Sequence, residues 1–302
     1  MKLSEKKEDF WVVIPARLKS SRFPEKVLAD IRGEPMINIV VRKALSSLAT
    51  KVIVATDSGR IKDSLSQEKV DVILTDENHP SGSDRVFEAV EKSGARDDQI
   101  IVNLQGDEPL IDPKTINNLA ELKINSQEDV ATVAARINSE SDITNPNCVK
   151  VVINKEYNGL YFSRSPIPFF RSEENTDTQI KNLLAHEMTT LYSAHETVSP
   201  ENNPNQVKIK VDECISLDFS RKIDGDTSDW FIHLGIYGYK YSCLKNFVNW
   251  EQSKRELENK LEQFRALDNG VLIKALPSKS LFHLGVDTPE DLEEANEIAK
   301  KI

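Results

Sequence analysis

The chain of 302 residues has three cysteines, Cys148, Cys214 and Cys243, far apart and with no CxxC pair. Neither a disulfide framework nor a zinc ribbon fits so few thiols, and they read as reduced cysteines of a cytoplasmic protein. No apolar run approaches the ~20 residues that cross a bilayer, and MKLSEKKEDF lacks the apolar stretch of a secretory signal. Basic excess is missing too. With 39 Lys plus Arg against 49 Asp plus Glu the formal net charge is −10, which disfavours a nucleic-acid or anionic-membrane surface. Several signatures are absent: no G-x-x-x-x-G-K-[ST] for a P-loop, no GxGxxG after the first strand for a dinucleotide, no G-x-S-x-G for a hydrolase elbow. HEMTTL, beginning at His186, has Thr190 where a zinc-protease helix needs its second histidine.

What the sequence does have is alternation. Apolar runs at Phe10–Val13, Lys51–Ala55, Asp71–Leu74 and Ile100–Leu104 read as strands. Helical spacing over Met36–Leu48, Gly59–Gln67, Ser83–Lys92 and Pro113–Leu122 separates or follows them. Such alternation predicts an α/β, Rossmann-like, doubly wound and mostly parallel sheet, with ligands beyond the carboxyl ends of its strands. In the second half, Val130–Arg136, Val149–Ile153, Leu160–Phe162 and Phe231–Tyr239 read as strands. Tyr241–Val248, Glu256–Leu267 and a segment from Pro289 read as helices. Arg171–Trp230 opens with SEENTDTQ and contains SPENNPNQ, compositions of an insertion on an otherwise compact domain.

Three stretches carry chemistry. IPARLKSSRFPEK places Arg17, Lys19, Arg22 and Lys26 within ten positions, beside Ser20 and Ser21, at the end of the first strand. A cationic loop there suits phosphate, which Arg grips with a two-pronged fork and Lys with a point charge. QGDEP follows the strand Ile100–Leu104; Asp112 can cap the next helix, which leaves Asp107 free for a divalent cation. In GVDTPEDL, Thr288 and Pro289 start a helix, and Asp287 just before them is a second metal-ligand candidate. Weaker pieces are Thr56 and Asp57 after the second strand, SGSDR with Ser81, Gly82 and Arg85, and Arg164 in YFSRSPIP. His233 and Tyr237 fall four apart in one strand, whereas Glu262, Gln263 and Arg265 read as the solvated face of an amphipathic helix.

In that order, IPAR, SRFPEK, IVATD, SGSDR, IVNLQGDEP, NPNCVKVV, YFSRSPIP, HLGIYGY, LEQFR and GVDTPEDL make the chain resemble the 3-deoxy-manno-octulosonate cytidylyltransferase family. The resemblance covers about residues 10–170 and 231–300. It implies a single α/β nucleotidyltransferase domain over residues 1–302. A smaller dimerisation arm and sugar-side region would span about 155–250, and the insertion 171–230 lies within it. It further implies a cytoplasmic homodimer that joins CTP to a 3-deoxy-octulosonic acid (KDO) with Mg²⁺, for lipopolysaccharide assembly. Implied nucleotide contacts are Arg17, Ser20, Ser21, Arg22, Lys26, Thr56, Ser81, Gly82 and Gln105. Implied metal ligands are Asp107 and Asp287, and these with Arg17 and Lys26 form the implied catalytic set. Implied sugar contacts are Arg85, Arg164, His233, Tyr237, Glu262 and Gln263. An 8-amino analogue or another ulosonic acid remains open as substrate, as does a non-catalytic sugar-nucleotide binder. Two departures stand out: Glu25 occupies the position where the family usually has glycine, and the stretch before HLGIYGY is unusually long.

Overall fold

A computed structural model describes residues 9–20, 22–137, 140–167, 231–278 and 285–301. The chain divides into two compact units, residues 1–135 with 234–302, and residues 136–233. In the first unit the strands are β1 (Phe10–Ala16), β2 (Asp30–Ile31), β3 (Glu34–Pro35), β4 (Lys51–Thr56), β5 (Asp71–Leu74) and β6 (Ile100–Asn103). They are followed by β7 (Val130–Arg136), while β2 and β3 form a small separate ribbon. Helices α1 (Met36–Leu45), α2 (Gly59–Ser64), α3 (Gly82–Lys92) and α4 (Pro113–Asn125) alternate with the strands, as the pattern predicts.

β1 pairs in parallel with β4 on one side and β6 on the other, and β4 pairs in parallel with β5. Successive strands therefore step away from β1 in one direction and then resume across it. The gap beyond the carboxyl ends of β1 and β6 is the switch point where such sheets take ligands. β1, β4 and β6 are almost wholly buried, which is why they read as unbroken apolar runs.

The second unit contains α5 (Glu140–Thr144), β8 (Lys150–Ile153) and β9 (Gly159–Ser163), the two strands paired antiparallel. β10 (Phe231–Lys240) begins in this unit, where Phe231 and Ile232 pair with β8. It continues into the first unit, where Tyr237–Lys240 pair antiparallel with β6. There α6 (Tyr241–Asn249), α7 (Lys254–Asn259), α8 (Gln263–Asp268), β11 (Ile273–Ser278) and α9 (Pro289–Ala299) complete the order β11-β7-β10-β6-β1-β4-β5. β11 pairs in parallel with β7, and its sequence, IKALPS, hides it because Lys274 and Pro277 interrupt the apolar run.

One expectation needs correction. Glu256–Leu267 is two short helices, because Lys260 takes the left-handed conformation (φ 52°) and ends α7. The break drops Leu261 into the core at 4% exposure. The insertion 171–230, with the helical and strand spacing noted in it, lies outside the described residues.

Candidate active site

A cleft of about 250 Å³ opens at the carboxyl ends of β1 and β6. The loop after β1 brings Arg17, Ser20, Arg22 and Lys26 to one wall. Lys26 starts a 3-10 turn (Lys26–Leu28), and its side chain is only 12% exposed. The start of α3 supplies Ser81, Gly82 and Arg85, and the loop after β6 supplies Gln105, Gly106 and Asp107. Close approach favours Gly106: a Cβ there would stand 3.1 Å from the Pro15 carbonyl oxygen, a tight contact.

Asp287 arrives from the far end of the sequence. The Val286 amide donates to the Asp107 carbonyl at 2.9 Å, which fixes the strand-end loop beside the entry to α9. Thr288 caps that helix in a reciprocal capping box with Asp291, and Pro289 occupies its first turn. Locked this way, Asp287 and Asp107 meet at one cation, with Lys26 Nζ 2.7 Å from Asp287 Oδ1 and 2.6 Å from Asp107 Oδ2. Arg22 reaches the other oxygen of Asp287 at 3.0 Å. Burial alone would lower the Lys26 pKa, but the two carboxylates outweigh it and hold the ammonium above the usual lysine value. Burial likewise opposes ionisation of Asp287, yet Lys26 and then Arg22 bring its carboxyl below the usual range. At neighbouring Glu108 the balance reverses: burial, then the charges of Asp107 and Asp287, outweigh the pull of Lys26 and push its carboxyl up to about 8. Arg17 stands exposed at the cleft, with no ion pair among the described residues.

This acid–base convergence coincides with a match over residues 11–275 to a family model described as cytidylyltransferase. The chain belongs to the cytidylyltransferase family. A relative from Polynucleobacter necessarius is 37% identical over 299 residues, 99% of this chain and 98% of that one. One from Francisella tularensis subsp. holarctica is 38% identical over 288 residues, covering 95% and 97%. Both are named 3-deoxy-manno-octulosonate cytidylyltransferase. A solved structure of CMP:2-keto-3-deoxy-manno-octonic acid synthetase complexed with CTP superposes with a TM-score of 0.71. It is 31% identical, covering 98% of this chain and all of the other.

In this cytidylyltransferase the remaining expected residues are distributed unevenly. Thr56 is fully buried, and its hydroxyl accepts from the Ser58 amide rather than lining the cleft. Ser21 lies outside the described residues. Arg85 borders the cleft, but its guanidinium is engaged by Thr75 at 2.5 Å and Asp57 at 3.1 Å. Asp57 also accepts from the Leu18 amide, so the Arg85–Asp57 pair braces the basic loop. Tyr237, Glu262 and Gln263 line a separate small cavity of about 20 Å³. Tyr237 Oη donates to Gln263 Oε1 at 3.2 Å, while Glu262 accepts from Ser81 Oγ and from the Ser83 amide. The Ser81–Glu262 bond thus joins that cavity to the start of α3. Burial raises the Tyr237 hydroxyl pKa far above the usual tyrosine value and also raises that of Glu262. Arg164 and His233 belong to the second unit. Arg164 donates to the Pro146 carbonyl at 2.9 Å, and His233 packs edge-on against Phe162. Burial pushes the His233 pKa down to about 3, which leaves a neutral imidazole.

Arg265 contradicts the solvated-face reading. It is 1% exposed and grips Glu256 with Nε and Nη2 at 2.6–3.2 Å. Its Nη1 lies 3.7 Å from Asp84 in the first turn of α3. The amphipathic spacing was real, but the break at Lys260 turns this segment inward. His79 and Pro80 also line the cleft and went unread. They sit in a loop of ordinary turn composition, and His79 meets Glu88 of α3 through a contact that spacing alone does not reveal.

Proposed function

We propose that this cytidylyltransferase joins CTP to 3-deoxy-manno-octulosonate and releases pyrophosphate, as an activation step for lipopolysaccharide assembly in the cytoplasm by a homodimer. The observation that carries the reading is the meeting of Asp107 and Asp287 at Lys26, in a cleft that also holds Arg17 and Arg22. The expected metal fits the donors present: two carboxylates converging on one cationic point, beside a phosphate site, is the set Mg²⁺ takes. Asp107 and Asp287 would hold it, and it would supply charge neutralisation on the triphosphate.

The chain's own groups do the remaining work. Arg17, Arg22 and Lys26 bind and orient the triphosphate, with Ser20 supporting the loop. Ser81, Gly82 and Gln105 are placed to meet the cytidine side. The anomeric hydroxyl oxygen of the sugar attacks the α-phosphorus while the bond to the bridging oxygen breaks. The electron pair leaves with pyrophosphate, and the hydroxyl proton passes to water. Such a transfer depends on positioning and charge compensation. For the sugar acid, Tyr237, Glu262 and Gln263 of the first unit offer polar groups for hydroxyls. Gln263 Nε2 is buried without a partner among the described residues, so it is a donor able to take a substrate oxygen.

The test is pyrophosphate release from CTP with KDO, with its 8-amino analogue in parallel, at millimolar Mg²⁺. Asp107→Ala and Asp287→Ala should each lower turnover by roughly 10²–10³ or more while retaining the fold. Wild-type turnover in either variant would remove the acid pair from the mechanism. Preference for the 8-amino sugar would replace KDO as the substrate.

A further inference from the structure

Glu25 precedes the lysine on which the cleft is centred, and its backbone is left-handed, φ 56° and ψ 24°. Any residue with a Cβ reaches that conformation at a cost that glycine avoids. The turn matters to the site, because the Leu28 amide donates to the Glu25 carbonyl at 2.8 Å and so closes the 3-10 turn that carries Lys26. The Glu25 side chain adds a second difficulty, a negative charge adjoining a loop that is to receive a polyanion.

Both difficulties meet one residue. Arg60, in the first turn of α2, binds Glu25 with a two-pronged fork: Nη1 on Oε1, and Nη2 on Oε2 at 2.9 Å. The fork draws the carboxylate toward α2, into a depression that Glu25 lines with Lys19 and Pro24 and that adjoins the cleft through Arg17 and Ser20. Glu25 is accordingly not among the residues lining the cleft. The Arg60 hydrogen bond is also the largest influence holding the Glu25 carboxyl below its usual value. α2 follows β4, the strand paired to β1, so the fork ties the loop to the rigid sheet.

We propose that Arg60 is a positioning residue of the phosphate loop. Its pair with Glu25 stabilises the left-handed turn that presents Lys26 and cancels a carboxylate that would otherwise repel the nucleotide. The inference rests on the reading that Lys26 contacts the phosphates of CTP.

The experiment is steady-state pyrophosphate release by wild type, Arg60→Ala, Glu25→Gly and the double variant, each checked for a normal melting profile. Arg60→Ala should raise KM for CTP about 3- to 10-fold, the scale for one uncompensated charge near a triphosphate, with kcat within about twofold. The increase should shrink at roughly 0.5 M salt, where a surface charge is screened. Glu25→Gly should match wild type, and adding it to Arg60→Ala should bring KM back to within about twofold. Because both side chains are exposed, these variants are expected to fold. Arg60→Gln, which removes the charge but keeps most of the stem, gives the same readout should alanine not. An unchanged KM in both Arg60 variants overturns the proposal, as does a double variant as impaired as Arg60→Ala alone. Failure of wild type itself to release pyrophosphate would count against the enzymatic reading instead.

Discussion

Lys26→Met removes an ammonium and keeps most of the stem, so it isolates the charge at the centre of the cleft. In the wild-type protein Nζ lies 2.6 Å and 2.7 Å from two carboxylates, with side-chain exposures of 12% for the lysine, 27% for Asp107 and 29% for Asp287. Removing one partner of a fully buried pair costs about 3–5 kcal/mol, whereas an exposed pair is worth about 0–1. The exposures place this cluster between those limits, at roughly 2–3 kcal/mol, since two carboxylates are left facing each other while Arg22 still pairs with Asp287. For a unit of this size that amounts to a melting temperature lower by roughly 5–10 °C.

The same substitution should create a response to metal. Without the ammonium, Mn²⁺ or Mg²⁺ can neutralise both carboxylates directly, and a cation at 100 times its Kd returns about 2.7 kcal/mol. Differential scanning fluorimetry without nucleotide should therefore show the variant recovering most of its loss in millimolar Mn²⁺, while wild type shifts much less. The difference between the proteins should also depend on pH. Asp287, its pKa lowered, contributes stability that is present above the usual carboxylate range and lost as pH falls through its lower folded value. Lys26, its pKa raised, contributes stability that is full below the usual lysine value and lost only as pH rises through its higher folded value. The gap should be flat from about pH 5 to 9 and close in acid. A variant as stable as wild type, or equal Mn²⁺ shifts in both, would refute the reasoning.

Two further outcomes follow from buried groups. Arg265→Met leaves Glu256 charged at 4% exposure, so urea denaturation should show a loss of about 3–5 kcal/mol, and adding Glu256→Leu should recover at least half. A single-variant loss below about 1 kcal/mol would mean the pair is not held as described. His233 has its pKa pushed down to about 3 and stays neutral in the native state as the unfolded chain takes up a proton. Stability should fall by about 1 kcal/mol between pH 6.5 and 5.5, and His233→Gln should flatten that slope.

The parts of this molecule that could be read from its sequence are those where one strand or loop carries the whole signal. Buried parallel strands such as Lys51–Thr56 and Ile100–Asn103 are unbroken apolar runs because both faces are covered. The basic loop and the two aspartates could be read because each follows such a strand or opens a capped helix. What stayed hidden depends on a partner in another element. Arg265 looks like a surface residue until Lys260 breaks the helix and Glu256 turns to meet it. Arg85 looks like a substrate group until Asp57 and Thr75 claim its guanidinium. Glu25 looks like a defect in a phosphate loop until Arg60 is found beside it. Spacing along a chain reports local periodicity, whereas ion pairing between separate elements, 9, 28 and 35 residues apart in these three cases, reports only the finished fold.

The charge arrangement also explains how a chain of net −10 can receive a polyanion. At the cleft, Arg17, Arg22 and Lys26 face Asp107 and Asp287, a local balance close to neutral. Two of those cations are already engaged by the carboxylates. On the proposed reading, a triphosphate arriving alone must draw Lys26 and Arg22 away from Asp107 and Asp287 and leave those acids unpaired. A divalent ion arriving alone must displace the same lysine. With both present, Asp107 and Asp287 would hold the metal while Lys26 and Arg22 turn to the phosphates, so each ligand would remove the cost the other meets. Thermodynamic linkage makes that coupling reciprocal. On the proposed reading, the ion cluster centred on Lys26 would therefore favour the metal–nucleotide pair over either component.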